Sequence, residues 1–228
     1  MGGRGSSSHS YKSVPNSGTG MKLKPKGFTI DTNMPAYGYQ RIDTGMSPDE
    51  VVRMAGDQLV GQKHEFGALV AQDGTLFIMT DRDEHSTHHP YTQARAAGYN
   101  IADLMPLHNH PGQSKSGLRT LGGPSSSDDW NVMISQGHKV GHIVAKEGRY
   151  TMRLTGSDTT KAQRFFTTAW GTKTSNYTKN TRKTYNNGAY WGADGYLKAA
   201  MHTLQKFGPR YGFELTFSPN PGYERIYD

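Results

Sequence analysis

The stretch Leu107-His108-Asn109-His110-Pro111 constrains this chain more than any other. Side chains at i and i+2 of an extended strand leave the same face, so His108 and His110 direct two imidazoles at one point. Two convergent imidazoles suggest a metal ion. Catalytic zinc usually takes three protein ligands and a water, and the third ligand is often a carboxylate from a neighbouring element. The cluster Ser125-Ser126-Ser127-Asp128-Asp129 follows, where either Asp128 or Asp129 can supply that carboxylate. The chain has no cysteine, which excludes disulfides and thiolate ligands and leaves His and carboxylate as the zinc-binding set.

At 228 residues the chain is long enough for one large domain with appendages. Only 33% of its residues are apolar and the mean hydropathy is -0.75, so part of the length is expected to stay unpacked. A formal charge of +7 and a sequence pI near 9.5 favour an acidic partner such as nucleic acid, a polyanionic wall or an acidic protein. No stretch approaches the roughly 18 consecutive apolar residues of a membrane span. The leader Met1-Gly2-Gly3-Arg4-Gly5-Ser6 lacks the apolar core of a secretory signal. A cytoplasmic location with no membrane partner is the default expectation, with delivery by another route left open.

Three segments are expected. Residues 1–45 read as a leader: Met1 to about Gly20 is a flexible Gly/Ser segment too poor in apolar surface to offset its ordering entropy, and a basic linker stretch with Lys22, Lys24 and Lys26 follows, extended or loose. Residues 46–156 read as an α/β domain. Ser47-Pro48-Asp49-Glu50 carries a capping hydroxyl, a first-turn proline and an acid three residues after the cap, which predicts a helix to about residue 60. Two apolar strands flank Asp73-Gly74, predicting a hairpin with a type I′ turn. Glu65 stands at the start of the first of these strands. A carboxylate there is ordinarily solvated; the functional alternative is a general base that takes a proton from water.

A polar, histidine-rich loop over residues 81–89 follows, then a short helix ended by Gly98 and a strand over residues 101–107 that leads into the two histidines. Residues 111–125 form a Gly/Ser/Pro loop. A helix then starts at the Ser/Asp cluster, whose hydroxyls suit its N-terminus, and a second hairpin turns at Glu147-Gly148. His138 and His142 read as surface residues.

With Glu65 upstream, the pattern Glu, His-x-His-Pro, Ser-x-x-Asp resembles the JAB/MPN (JAMM) metalloprotease superfamily. The middle Asn109 resembles its bacterial branch, the RadC-like proteins and the JAB domains of phage proteins and polymorphic toxins. The resemblance spans about half the chain. It implies a JAB/MPN-like, cytidine-deaminase-like mixed sheet flanked by helices. It also implies Zn2+ on His108, His110 and Asp129, with Glu65 as the base and Ser126 stabilising the tetrahedral intermediate. The spacer from His110 to the serine is longer than the family's usual one, and the serine triplet leaves Ser125/Asp128 open as an alternative to Ser126/Asp129. Trp130 after Asp129 favours the latter, because the family's aspartate is commonly followed by an apolar residue.

Residues 157–228 read as a basic, aromatic-rich α+β extension. From Gly156 onward ten Lys and Arg stand against five Asp and Glu, interleaved with Tyr177, Tyr185, Tyr190 and Trp191 in a manner that suits stacking on single-stranded nucleic acid or gripping a protein substrate. Helices are expected over residues 157–170 and 193–207, the second closed by Gly208, with a strand over residues 211–217. The leading expectation is a zinc hydrolase of peptide or isopeptide bonds with a phage or toxin association. Its rivals are a RadC-like protein of DNA transactions and a non-catalytic JAB-like scaffold. The sequence leaves the oligomeric state open.

Overall fold

The computed structural model describes residues 27–111, 121–174 and 195–227. Strands β1 (Gly38–Asp43), β2 (Gly67–Val70), β3 (Thr75–Thr80), β4 (Met105–His110), β5 (Val140–Ala145), β6 (Gly148–Leu154) and β7 (Phe213–Pro219) make one seven-stranded sheet. Its order is β1-β3-β2-β4-β5-β6-β7, parallel between β4 and β5 and antiparallel elsewhere. Helices α1 (Pro48–Leu59), α2 (Tyr91–Ala96), α3 (Ser127–Gln136), α4 (Thr160–Arg164, continued by a π turn over Phe165–Ala169) and α5 (Gly195–Tyr211) flank it. The class is α/β with a mixed sheet.

The parallel β4–β5 pair positions the site, because the crossover between them carries α3. In register, His108 lies beside Ile143, Asn109 beside Val144 and His110 beside Ala145. Strand alternation therefore sorts the pairs by face. Leu107 and Val144 join the core beneath α1 with Val51, Ala55 and Leu59. Ile143 and Ala145 join the opposite core, which holds Trp130 and Met133 of α3, Phe165, Phe166, Ala200 and Leu204. His108 and His110 thus face the α3 side. Burying the large side chains of that core is worth roughly 1.5–3 kcal/mol each.

Both flanking segments enter the same sheet. Strand β1, from the stretch read as leader and linker, pairs with β3 along its length. Strand β7 pairs with β6 from Leu154–Phe213 to Gly148–Pro219, and Phe213 and Leu215 are buried as the alternation predicted. The boundaries drawn at residues 45 and 156 do not coincide with edges of the sheet. Most of the leader, residues 112–120 of the loop, and Tyr177, Tyr185, Tyr190 and Trp191 lie outside the described residues.

Four local expectations are corrected. The β2–β3 turn is not type I′: Gly74 has φ +81°, but Asp73 is not in the left-handed region. The Gly74 amide bonds to the Ala71 carbonyl at 3.0 Å and the Ala71 amide to the Thr75 carbonyl at 2.9 Å, the pattern of a type I turn with a glycine bulge. Residues Ile101–Asp103 form a 3-10 turn instead of strand, so β4 starts only at Met105, and it carries both histidines as expected. Gly208 does not end its helix. A Cβ there would sit 2.4 Å from the Phe213 carbonyl oxygen, so this glycine serves close packing, and Gly212 at φ +78° makes the stop. His138 and His142 are buried, at 0% and 8% exposure. His138 fits because its ring bonds the Leu104 carbonyl at 2.8 Å and the Tyr91 hydroxyl at 3.2 Å while stacking on Tyr91. No helix among the described residues is long and apolar enough to cross a membrane.

Candidate metal centre

The end of β4 and the start of α3 bring His108, His110 and Asp129 together, with one ligand atom of each lying within 4.8 Å of the others. The two Nε2 atoms are 3.1 Å apart, and His108 Nε2 is 3.3 Å from Asp129 Oδ1. A tetrahedral zinc with bonds of about 2.0–2.1 Å holds its ligand atoms about 3.3–3.4 Å apart, so the donor set and its spacing fit that ion. His110 Nδ1 donates to the Gly123 carbonyl at 3.0 Å. That bond leaves the Nε2 lone pair facing the cluster, the outer support that metal-ligating imidazoles ordinarily have.

Asp129 has two tasks. Its Oδ2 accepts the Ser126 amide at 2.7 Å and the Ser126 hydroxyl at 2.8 Å, while the Asp129 amide donates back to Ser126 Oγ at 3.2 Å. This reciprocal capping box fixes the carboxylate, whose other oxygen points to His108. Burial works against its charge, but His108, His110 and the Ser126 amide outweigh it and hold Asp129 well below the usual carboxylate range. For His108, burial favours the neutral ring, yet Asp129 and Glu65 outweigh it and raise its pKa above the ordinary histidine value. Asp128 is exposed and outside the cluster. Ser125 is buried at 1% exposure, and its hydroxyl has no hydrogen-bond partner among the described residues.

Glu65, at 8% exposure, is buried rather than solvated. It lines one cleft of about 490 Å³ with His108, His110 and Asp129. Its backbone is gripped on all sides. Asn109 Oδ1 accepts the Phe66 amide at 2.7 Å and Asn109 Nδ2 donates to the His64 carbonyl at 3.1 Å. Thr80 Oγ1 donates to the Glu65 carbonyl and the Glu65 amide donates to the Asp83 carbonyl, each at 2.8 Å. The middle residue of His-Asn-His therefore points away from its neighbours and ties the segment carrying Glu65 to the strand carrying the ligands.

The histidine-rich loop, residues 81–90, forms one rim through Glu84, His85, Ser86, Thr87 and His89. Gly67 allows it: a Cβ there would lie 2.3 Å from the His88 carbonyl oxygen. His89 packs edge-on to His108 at 5.8 Å between centroids. Burial and the neighbouring imidazoles push its pKa down to about 3. Sequence reading missed Gly67, the backbone role of Asn109 and the nearness of His89. The only signals were a glycine at a strand start and one histidine among three.

Compared with protein-family models, curated proteins and solved structures, the chain matches none.

Proposed function

We propose that the chain is a zinc-dependent hydrolase of peptide or isopeptide bonds. The observation that carries this reading is the convergence of two imidazoles and a carboxylate on one point, in a cleft that also holds a buried glutamate. Zinc held by His108, His110 and Asp129 would supply Lewis-acid polarisation of the scissile carbonyl and acidify water. Glu65 is assigned the proton taken from the attacking water and its delivery to the leaving amine. Ser126 is assigned the developing oxyanion. Its hydroxyl proton is donated to Asp129 Oδ2, so it would have to swing from that bond. Ser125, whose hydroxyl is buried without a hydrogen-bond partner among the described residues, lines the same cleft and is the rival donor.

The cleft is also lined by Val132, Met133, Met152, Trp170 and Leu197, apolar surface suited to the side chain of a peptide substrate. The excess of base favours a second reading, a RadC-like role on DNA, for which a salt-dependent shift of duplex or single-stranded DNA is the mark.

Zinc analysis with proteome-wide cleavage profiling of wild type and Glu65→Gln tests the first reading. The expected result is about one zinc per chain in both and cleavage in the wild type alone. Zinc that survives His108→Ala with His110→Ala would refute the site. Zinc without cleavage in the wild type would leave a JAB-like scaffold.

A further inference from the structure

Among the described residues, one buried acid is not used by the proposed reaction. Glu147 occupies the turn between β5 and β6, a position where a carboxylate ordinarily faces water, yet it is 0% exposed. Its side-chain partners are neutral: the Gly122 amide at 3.0 Å, the Gly123 amide at 2.6 Å and the Tyr150 hydroxyl at 2.8 Å. Taking a carboxylate out of water is costly unless it is both hydrogen-bonded and paired with an opposite charge; here the donors are neutral, so the fold holds this group at a cost that a plain hairpin turn does not require.

The two amides are the link to the metal centre. Gly123 is gripped at its nitrogen by Glu147 and at its oxygen by His110 Nδ1. The Gly-Gly pair is dictated by this arrangement. A Cβ on Gly122 would lie 2.6 Å from Ala145 Cβ and 2.8 Å from the His110 carbonyl oxygen, and Gly123 sits at φ +86°. The turn is itself held from outside by residues that follow β7. The Asn220 amide donates to the Glu147 carbonyl at 2.8 Å, Asn220 Nδ2 donates to the Lys146 carbonyl at 3.0 Å, and the Tyr150 hydroxyl meets that of Tyr227.

We propose that Glu147 is a positioning residue for the His110 ligand, and that residues 213–227 belong functionally to the metal centre because they lock the turn that carries it. The proposal rests on the metal-site reading above. The chain of contact runs from Asn220 through Glu147 and Gly123 to His110. It sets the ring orientation that aims Nε2 at His108 and Asp129, as outer-shell partners of ligating histidines do.

The test uses the full chain as wild type, Glu147→Gln, Tyr150→Phe and Asn220→Ala. Zinc affinity is measured by chelator competition, the visible spectrum is read with cobalt in place of zinc, and the melting temperature is read without metal. Glu147→Gln puts an amide NH2 against one glycine N–H, and is expected to weaken zinc about 10- to 100-fold and to shift the cobalt bands. Tyr150→Phe removes one of the three donors to Glu147 and the contact with Tyr227 but leaves both glycine N–H bonds, so it should lower the melting temperature and weaken zinc by less than about tenfold, and by less than Glu147→Gln does. Asn220→Ala, which keeps the buried acid, should weaken zinc by more than about threefold, and it decides the matter if the Gln variant does not fold. The proposal is overturned by unchanged zinc affinity and cobalt bands in Glu147→Gln. It is equally overturned by unchanged affinity in Asn220→Ala, or by a loss in Tyr150→Phe as large as that in Glu147→Gln. A wild-type chain that takes no zinc defeats the metal-site reading itself, and the inference with it.

Discussion

Replacing Asn109 by alanine should separate the base from the ligands. The side chain is 1% exposed and makes two hydrogen bonds that bracket Glu65, to the Phe66 amide and the His64 carbonyl. Its loss leaves a buried N–H without that partner, at about 1–3 kcal/mol, and a part-buried carbonyl that water can partly reach, at the low end of the same range. The sum is about 2–4 kcal/mol, against a typical domain stability of about 5–15 kcal/mol, so the variant should fold. The Glu65 backbone keeps its bonds to Thr80 and Asp83, so the carboxylate loosens without leaving the cleft. A displacement of about 1 Å can cost about 100-fold in rate, whereas the two histidine ligands stay on β4, which pairs with β5 through both of them and with β2 as far as His108. The expected pattern is a lower urea midpoint, hydrolysis down by about 10- to 100-fold and zinc affinity near that of the wild type. Equilibrium unfolding, chelator competition and peptide cleavage on the same preparation check it. Wild-type cleavage with a stability loss under about 0.5 kcal/mol, outside the range for an orphaned buried amide, would refute the clamp. A zinc affinity that falls as steeply as the rate would show that Asn109 serves the ligands instead.

Gly122→Ala should displace the His110 backbone, because the new Cβ starts 2.8 Å from the His110 carbonyl oxygen and 2.6 Å from Ala145 Cβ; zinc competition should register at least about a tenfold loss. Trp130→Ala should cost about 3–5 kcal/mol in urea unfolding, since the ring is fully buried, stacked on Phe166 at 5.0 Å and tilted over Phe213 at 5.0 Å. The metal-free protein should lose stability as pH falls below the ordinary histidine value. Burial holds His89 down to about 3, His142 down to about 4 and His138 below its ordinary value. The unfolded chain therefore gains protons that the folded one does not, at up to about 1.4 kcal/mol per pH unit for each such histidine. His108 has the opposite sign. Its contribution is complete below the ordinary value and is lost as pH rises through its raised folded value, so it does not offset the acid-side loss. An EDTA-treated sample whose urea midpoint is as high at about pH 5 as at about pH 6.5, the ordinary histidine value, would refute this.

Features that depend on near neighbours were legible in the sequence. The Ser47 capping box, the second hairpin and the alternation of Phe213 and Leu215 are local rules, and the structure follows them. The placement of His108 and His110 on one face needed only strand periodicity. What was not legible depends on contacts between distant segments. Strand β1 was hidden because Gly38–Asp43 lacks apolar alternation, with Gln40 and Arg41 adjacent and Ile42 its one aliphatic residue, and because its partner β3 is more than thirty residues away. His138 looked like a surface residue because its buried partners, Leu104 and Tyr91, are far away in sequence. Glu147 in a Glu-Gly turn had the ordinary look of a solvated acid, and nothing local shows that Gly122 and Gly123 close over it.

The ambiguity between Ser125/Asp128 and Ser126/Asp129 shows how far local rules reach into the site. A run of three serines and two aspartates offers two frames with the same spacing, and composition does not choose between them. Helix capping distinguishes them geometrically, because only the acid three residues after the N-cap can bond back to the cap's own amide. With Ser126 at the cap, that acid is Asp129, and its carboxylate turns toward the end of β4 while Asp128 in the same first turn faces solvent. The bond that starts the helix therefore also aims the third candidate ligand. A substitution at Ser126 would disturb both helix initiation and metal binding before any effect on an oxyanion could be read. Assigning Ser126 a chemical role thus requires a rate that falls at full metal occupancy.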